Sequence, residues 1–217
     1  MRELEGGIAV QDRMAYQGKY FRERYGAEAD RMQEMIGTLL DFTQARFLGK
    51  VHVSPVPADM AEIAHGVVDE LRVAWPDHGI ELEVRGESHG RWDPGRMGQV
   101  ISNLIGNAIT YGDPDPPIRV CVDGGDDEMV VKVSNHGAPI PADVLPVLFE
   151  PFRRGVPGDR SPRGLGLGLY IVQQVVLAHD GTVDVASTAQ EGTTFTVRLP
   201  RKRADSQPHE TVSPVLH

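Results

Sequence analysis

Asn103-Leu-Ile-Gly-Asn107-Ala-Ile-Thr-Tyr111, inside the run from Asp93 to Asp113, is the stretch that organises the rest of the chain. Read as a helix, it gathers Val100, Ile101, Leu104, Ile105, Ala108 and Ile109 into one wide apolar stripe. Asn103 and Asn107 are four residues apart, so they stack one turn above the other beside that stripe. Asn is a mediocre helix former and is costly when half-buried without partners. Such a pair points to a ligand with hard oxygens, for instance a magnesium-bound phosphate chain. An amphipathic helix with two solvated amides explains this stretch equally well, and both readings stand until more of the chain is taken in.

Two further segments bear on the choice. Gly164-Leu-Gly166-Leu-Gly168-Leu-Tyr-Ile-Val opens another apolar helix with alternating glycines, the backbone chemistry of an anion-binding helix N-terminus. Ahead of it lie Phe149-Glu-Pro-Phe152-Arg-Arg154 and a short polar loop. The order is Asn-pair helix, strand, Asn-x-Gly, Phe-x-Pro-Phe, glycine helix, then Gly192-Thr193-Thr-Phe195 in a last strand. A lone glycine run is weak evidence, whereas this ordered set is specific. From about Pro55 to Pro200 it resembles the ATP-binding catalytic domain of sensor histidine kinases, within the superfamily that includes gyrase, the ninety-kilodalton heat-shock chaperone and MutL. A weaker match runs back from about Ala29 into the helix before it.

Length and composition agree with this reading. The 217 residues allow one full core and a small appendage, and 24% charged with 40% hydrophobic residues is ordinary for a globular protein. A net charge of −9 argues against a general nucleic-acid binder. The single cysteine, Cys121, excludes a disulfide framework and a Cys-rich zinc site, and in the strand-like Ile118–Val122 it is expected as a small buried hydrophobe. No apolar run approaches a bilayer span and no signal peptide is evident, so a cytoplasmic location without a membrane segment is expected.

Residues 1 to about 17 are poorly patterned. From Lys19 to Phe47 the pattern turns helical, with Phe21, Tyr25, Met32, Met35, Leu39 and Phe42 at alternating three- and four-residue steps. This segment is similar to the second helix of a histidine-kinase dimerisation hairpin; a helix folded back on its own domain is the alternative. Pro55 and Pro57 block its continuation, and a helix is expected over Ala58 to Ala74. Strands are expected at Ile80–Val84, near Gly90-Arg-Trp92, and at Ile118–Val122 with Met129–Ser134 as a hairpin. Asp93-Pro94 supplies an N-cap and a first-turn proline for the Asn helix. A helix over Gly166–Ala178 and strands at Thr182–Ser187 and Thr193–Leu199 complete the pattern. The expected fold is an α/β (α+β) two-layer sandwich, a mixed and largely antiparallel sheet with three helices on one face. Its divisions are a helical segment at 1–50, a catalytic domain at 54–200 and a disordered tail at 201–217.

The resemblance implies ATP and Mg2+ as ligands and assigns residues to them. Asn107 matches the family's magnesium ligand. Asn103 stands where hydrolytic relatives carry a water-activating glutamate, and an amide cannot be that base, which favours phosphoryl transfer over steady hydrolysis. Asn103 and Thr110 are the candidate catalytic positions. Thr110 departs from the family's usual lysine or arginine, leaving Arg153, Arg154, Arg160 and Arg163 as candidate phosphate partners or as a solvated loop face. Asn135-His-Gly137-Ala-Pro139-Ile140 aligns with the adenine-reading Asp-x-Gly-x-Gly, with Asn for Asp and Pro for the second Gly. An amide oxygen still accepts a bond from the adenine amine. Tyr111, Phe149, Phe152, Gly164, Leu165, Gly166, Leu167, Gly168, Leu169 and Thr193 complete the expected nucleotide site, with Phe149 and Phe152 anchoring a lid. The implied partners are a response-regulator receiver domain and a second copy of the chain.

One departure is large. The family presents its phospho-accepting histidine in a His-Asp/Glu-x-x-x-Pro context, and none of the eight histidines (His52, His65, His78, His89, His136, His179, His209, His217) has it. Either a histidine-bearing dimerisation domain is supplied in trans or upstream, or the kinase role has given way to that of an adapter docking a response regulator.

Overall fold

The computed structural model describes Gly37, Leu39, Phe42, Thr43 and residues 51–153 and 165–201. The expected helix over 19–47 lies outside these residues except for those first four, which are helical. Seven strands and three helices follow: β1 (Val56–Asp59), α1 (Met60–Ala74), β2 (Ile80–Gly86), β3 (His89–Trp92), α2 (Pro94–Tyr111), β4 (Ile118–Gly124), β5 (Glu128–Asn135), α3 (Gly168–Ala178), β6 (Thr182–Thr188) and β7 (Gly192–Pro200). A short 3₁₀ turn at Leu145–Val147 lies between β5 and α3.

The main sheet has the order β2-β4-β5-β7-β6. Only β2 and β4 run parallel, with Ile80 opposite Ile118. The other neighbours are antiparallel, including the expected β4–β5 hairpin. Side chains alternate between faces along a strand, and that parity selects the core. Ile118, Val120 and Val122 of β4, Met129, Val131 and Val133 of β5, and Phe195, Val197 and Leu199 of β7 are buried against the helices. Arg119 and Lys132 point the other way and are exposed. Cys121 shares their parity, so it is half-buried on the face away from the helices, not in the core as its apolar flanks suggested. Burial there pushes its thiol above the ordinary range, which disfavours the reactive thiolate.

α2 is the central helix. Asp93 caps it by accepting the Arg96 amide at 3.1 Å, with Pro94 in the first turn. The whole predicted stripe, Val100, Ile101, Leu104, Ile105, Ala108 and Ile109, is buried, joined by Met97. Burial of each larger side chain stabilises by about 1.5–3 kcal/mol. α1 buries Met60, Ala64 and Val68, and α3 buries Ile171, Val172, Val175 and Val176. α1 and α3 flank α2 and all three cover the sheet.

Two helix starts differ from expectation. Residues 58 and 59 belong to β1, not to α1, because Pro57 extends the chain and Ala58 and Asp59 pair with Gly90 and His89 in a two-stranded ribbon. Asp59 then caps α1 by accepting the Ala61 amide at 2.8 Å. α3 starts at Gly168 instead of Gly166, since Gly166 has a φ of +69° that a helix does not accommodate.

Candidate functional site

The polar face of α2 meets the start of α3. Asn103 and Asn107 are both half-buried, and neither carboxamide is hydrogen-bonded to another described residue. Asn103 lies directly against Gly168: a Cβ added there would sit 3.3 Å from the Asn103 Oδ1. The glycine thus lets the first turn of α3 approach the asparagine face closely. Leu167 is buried beneath this junction, Leu169 packs on the core and Leu165 is exposed.

Residue 166 lies against the backbone of residues 152–153. Phe152 has a φ of 61° and Gly166 a φ of +69°. A Cβ on Gly166 would come within 2.6 Å of the Arg153 carbonyl oxygen. Phe149 packs edge-on against Phe195 at 6.5 Å, which ties the Phe-x-Pro-Phe segment to the sheet. Phe152 is instead exposed and meets Phe42 at 5.0 Å. Arg153 is held by Glu150, donating through Nε at 2.9 Å. Arg154, Arg160, Arg163 and Gly164 lie outside the described residues.

A second polar cluster closes the far end of α2. Asn135 ends β5 directly opposite Thr193, and both are buried. The Asn135 Nδ2 donates to the His136 carbonyl at 3.1 Å. That carbonyl also accepts the Asp113 amide at 2.8 Å, which binds the loop after β5 to the end of α2. Gly137, at a φ of +148°, allows the contact, since a Cβ there would lie 2.9 Å from the Tyr111 carbonyl oxygen. The Tyr111 side chain is 47% exposed beside it. Thr110 donates its hydroxyl to the Gly106 carbonyl at 2.8 Å, so it neither carries charge nor offers a free proton.

Sequence reasoning passed over one member of this cluster. Ser187 of β6 accepts the Ile140 amide at 2.9 Å and lies 2.7 Å from the Thr193 Oγ1. The parity of Val183 and Val185 along β6 was the available signal, because it places residue 187 on the helix-facing side. His179 belongs to no motif in the sequence. It is buried, donates from Nδ1 to the Val175 carbonyl at 2.8 Å and accepts the Asp93 amide at 3.1 Å, joining the end of α3 to the start of α2.

The donor set fits a magnesium–nucleotide ligand. Oxygen ligands suit magnesium, and the half-buried Asn107 carboxamide offers one that no described residue engages. Gly168 at the start of α3 brings backbone close to the same face, an arrangement suited to receiving phosphates. Residues 92–203 match the family described as histidine kinase-, DNA gyrase B-, and HSP90-like ATPase. The chain belongs to that family.

Its ATP-binding catalytic domain is of the histidine-kinase type, as its relatives indicate. The chain is 33% identical over 186 residues to the bacteriophytochrome of Pseudomonas aeruginosa, covering 85% of this chain and 25% of that protein. It is 32% identical over 176 residues to the signal transduction histidine-protein kinase AfsQ2 of Streptomyces coelicolor, covering 81% of this chain and 32% of that one. It therefore spans between a quarter and a third of the length of these two relatives. Among solved structures, the mycobacterial sensor histidine kinase MprB superposes with a TM-score of 0.57 at 27% identity, over 69% of this chain and 99% of that one. Full-length ShkA in complex with AMPPNP shares the fold, with a TM-score of 0.68 at 23% identity over 86% of this chain and 39% of that one. Among the described residues of the kinase-type domain, no helix is long and apolar enough to cross a membrane.

Proposed function

We propose that this chain binds Mg-ATP between the asparagine face of α2 and the glycine-rich start of α3, and transfers the γ-phosphoryl group to a protein histidine in two-component signalling. The observation that carries this is the close approach of Gly168 to Asn103, which brings backbone amides to a face bearing two uncommitted carboxamides. In this reading Asn107 supplies the oxygen ligand to the metal. Magnesium, when bound, neutralises phosphate charge and orients the triphosphate. Asn103 and the amides of residues 165–168 hold the phosphate chain, while Asn103 withholds the base that hydrolysis would need. Asn135 presents its Oδ1 to the exocyclic amine of adenine, because its Nδ2 is committed to the His136 carbonyl. Gly137, Ile140, Tyr111 and Thr193 frame the base. Phe149, Phe152, Leu165, Leu167 and Leu169 shape the walls, and Arg153, Arg154 and Gly164 border the phosphates.

The catalytic domain then occupies residues 54–200, between a helical dimerisation segment in 1–50 and a tail at 201–217. No histidine of the chain sits in an acceptor context. The acceptor belongs to a histidine-bearing dimerisation domain in trans, and a response-regulator receiver domain is the downstream partner of a homodimer.

Binding is tested first. A fluorescent ATP analogue should bind in a magnesium-dependent manner, and Asn107→Ala should weaken it by about tenfold or more, the loss of one charge-assisted contact. Magnesium-independent binding, or an Asn107→Ala variant that binds as the parent does, defeats the site assignment.

A second reading, an adapter that binds nucleotide without transferring phosphate, draws on the phosphate side of the site. Thr110 replaces a cationic residue and Arg153 is paired with Glu150. Labelled phosphate supplied as ATP, with a separate histidine-bearing hairpin as acceptor, distinguishes the two. Transfer supports the kinase, and nucleotide binding with no transfer supports the adapter.

A further inference from the structure

The helix-facing side of β5, β7 and β6 is built in cross-strand rows. Val131, Val197 and Val183 form one row, and Val133, Phe195 and Val185 the next. The row after these, Asn135, Thr193 and Ser187, is polar throughout. Asn135 and Thr193 are only 7% and 6% exposed, so the change of chemistry occurs inside the fold. Buried polar groups cost free energy unless they are hydrogen-bonded. A valine row would continue the core without that cost; here internal hydrogen bonds offset it, and they leave the Asn135 Oδ1 and one Thr193 hydroxyl bond for a further partner.

The hydrogen-bond directions say which ligand edge fits. Asn135 Nδ2 is committed to the His136 carbonyl, leaving Oδ1 as an acceptor. Ser187 Oγ accepts the Ile140 amide at 2.9 Å and sits 2.7 Å from Thr193 Oγ1. A hydroxyl has one proton to give and two lone pairs to receive. When Ser187 donates across that 2.7 Å contact, the Thr193 proton is left to donate to the ligand. The row then offers an acceptor beside a donor, the complement of a 6-aminopurine edge, whose amine donates and whose neighbouring ring nitrogen accepts.

We propose that Ser187 is a positioning residue for base recognition: it orients the Thr193 hydroxyl as a donor and anchors the loop through the Ile140 amide, so that adenine is preferred over a 6-oxopurine. This rests on the nucleotide reading of the site and adds to it the group that sets the sense of the Thr193 hydrogen bond. Without the Ser187 hydroxyl, the Thr193 hydroxyl is free to turn and accept, which suits the N–H of a 6-oxopurine. Discrimination then narrows.

Titration calorimetry on the full chain, with Mg-ATP and Mg-ITP, tests this. Ser187→Ala should weaken ATP binding by about 3- to 10-fold, the effect of one hydrogen bond, while ITP binding changes less, so the ATP:ITP ratio falls. Ser187→Thr should restore the ratio. Adding Ser187→Ala to Thr193→Val should lower the ratio no further than Thr193→Val does alone, because the serine acts through the threonine. Ser187→Cys, similar in size and a weaker donor, serves the same purpose should the alanine variant fail to fold. Equal losses for both nucleotides, or additive effects in the double variant, overturn the positioning role while leaving nucleotide binding intact. A parent chain that binds neither nucleotide overturns the site reading and this proposal together.

Discussion

Asn135, which the proposed adenine site sets in place of an aspartate, donates through its amino group to the His136 carbonyl at 3.1 Å. A carboxylate in that place would set two acceptors against each other at a 7% exposed position. An aspartate at this position is therefore expected to destabilise the chain. Asn135→Asp should cost about 1–2 kcal/mol near neutral pH, the order of a lost hydrogen bond with an unsatisfied partner. It should appear as a lower urea midpoint with an unchanged slope. The penalty should shrink in acid, because a neutral carboxyl can donate to the carbonyl as the amide does. Parent-like stability of Asn135→Asp at neutral pH would show that the Nδ2 bond is dispensable. The same local reasoning explains what the sequence concealed at this scale. Asn135 and Thr193 stand out through motif position; the alternation of Val183 and Val185 turns Ser187 inward, but nothing local names its partner Ile140, 47 residues away.

At the level of elements, Asp93 joins more structure than a cap requires. Its carboxylate accepts the Ser54 amide at 2.9 Å as well as that of Arg96, and its own amide donates to His179. Burial works to raise its pKa, but the two amides and the nearby Arg96 hold it below the ordinary range. A depressed carboxylate contributes stability above its unfolded pKa of about 3.9, and that contribution is lost as pH falls through the lower folded value. Asp93→Ala should cost about 1–2 kcal/mol at pH ~7, and the gap from the parent should close in strong acid. Asp93→Asn, which keeps a capping oxygen, should cost less. A gap that stays constant from neutral pH down into strong acid would refute the charge contribution. The cap was legible because Asp93-Pro94 directly precedes the periodic stripe. So were the stripe and the β4–β5 hairpin, whose signals are all local. β1 was not: Pro57 reads as a break, and its pairing with Arg91 depends on a strand 34 residues downstream. The parallel pairing of β2 with β4 was equally out of reach, since α2 intervenes between them. Cys121 departs from its apolar flanks because strand parity, not composition, sets the face it takes.

Across the whole molecule, Phe42 is a described point where the segment before residue 51 meets the kinase-type domain. Phe42 meets Phe152 edge-on at 5.0 Å and Tyr170 edge-on at 5.7 Å. Phe152 precedes Arg153, whose carbonyl faces Gly166, and Tyr170 lies in the first turn of α3, two residues beyond Gly168. A shift of the helix at Phe42 therefore bears on both edges of the proposed phosphate side. Edge-to-face aromatic pairs contribute about 0.5–1.5 kcal/mol beyond the area they bury. A double-mutant cycle of Phe42→Leu and Tyr170→Leu, read from urea unfolding, should give a coupling in that range. The leucines keep apolar volume, so the cycle isolates the ring geometry from simple burial. Coupling should also appear in nucleotide affinity, because Tyr170 shares its helical turn with Gly168 and Phe42 meets it ring to ring. Zero coupling in both measurements would mean that the helix and the domain are energetically independent at this contact. Stability coupling without affinity coupling would confine the aromatic contact to holding the two parts together, and motion of the helix would then have to reach the nucleotide by another route.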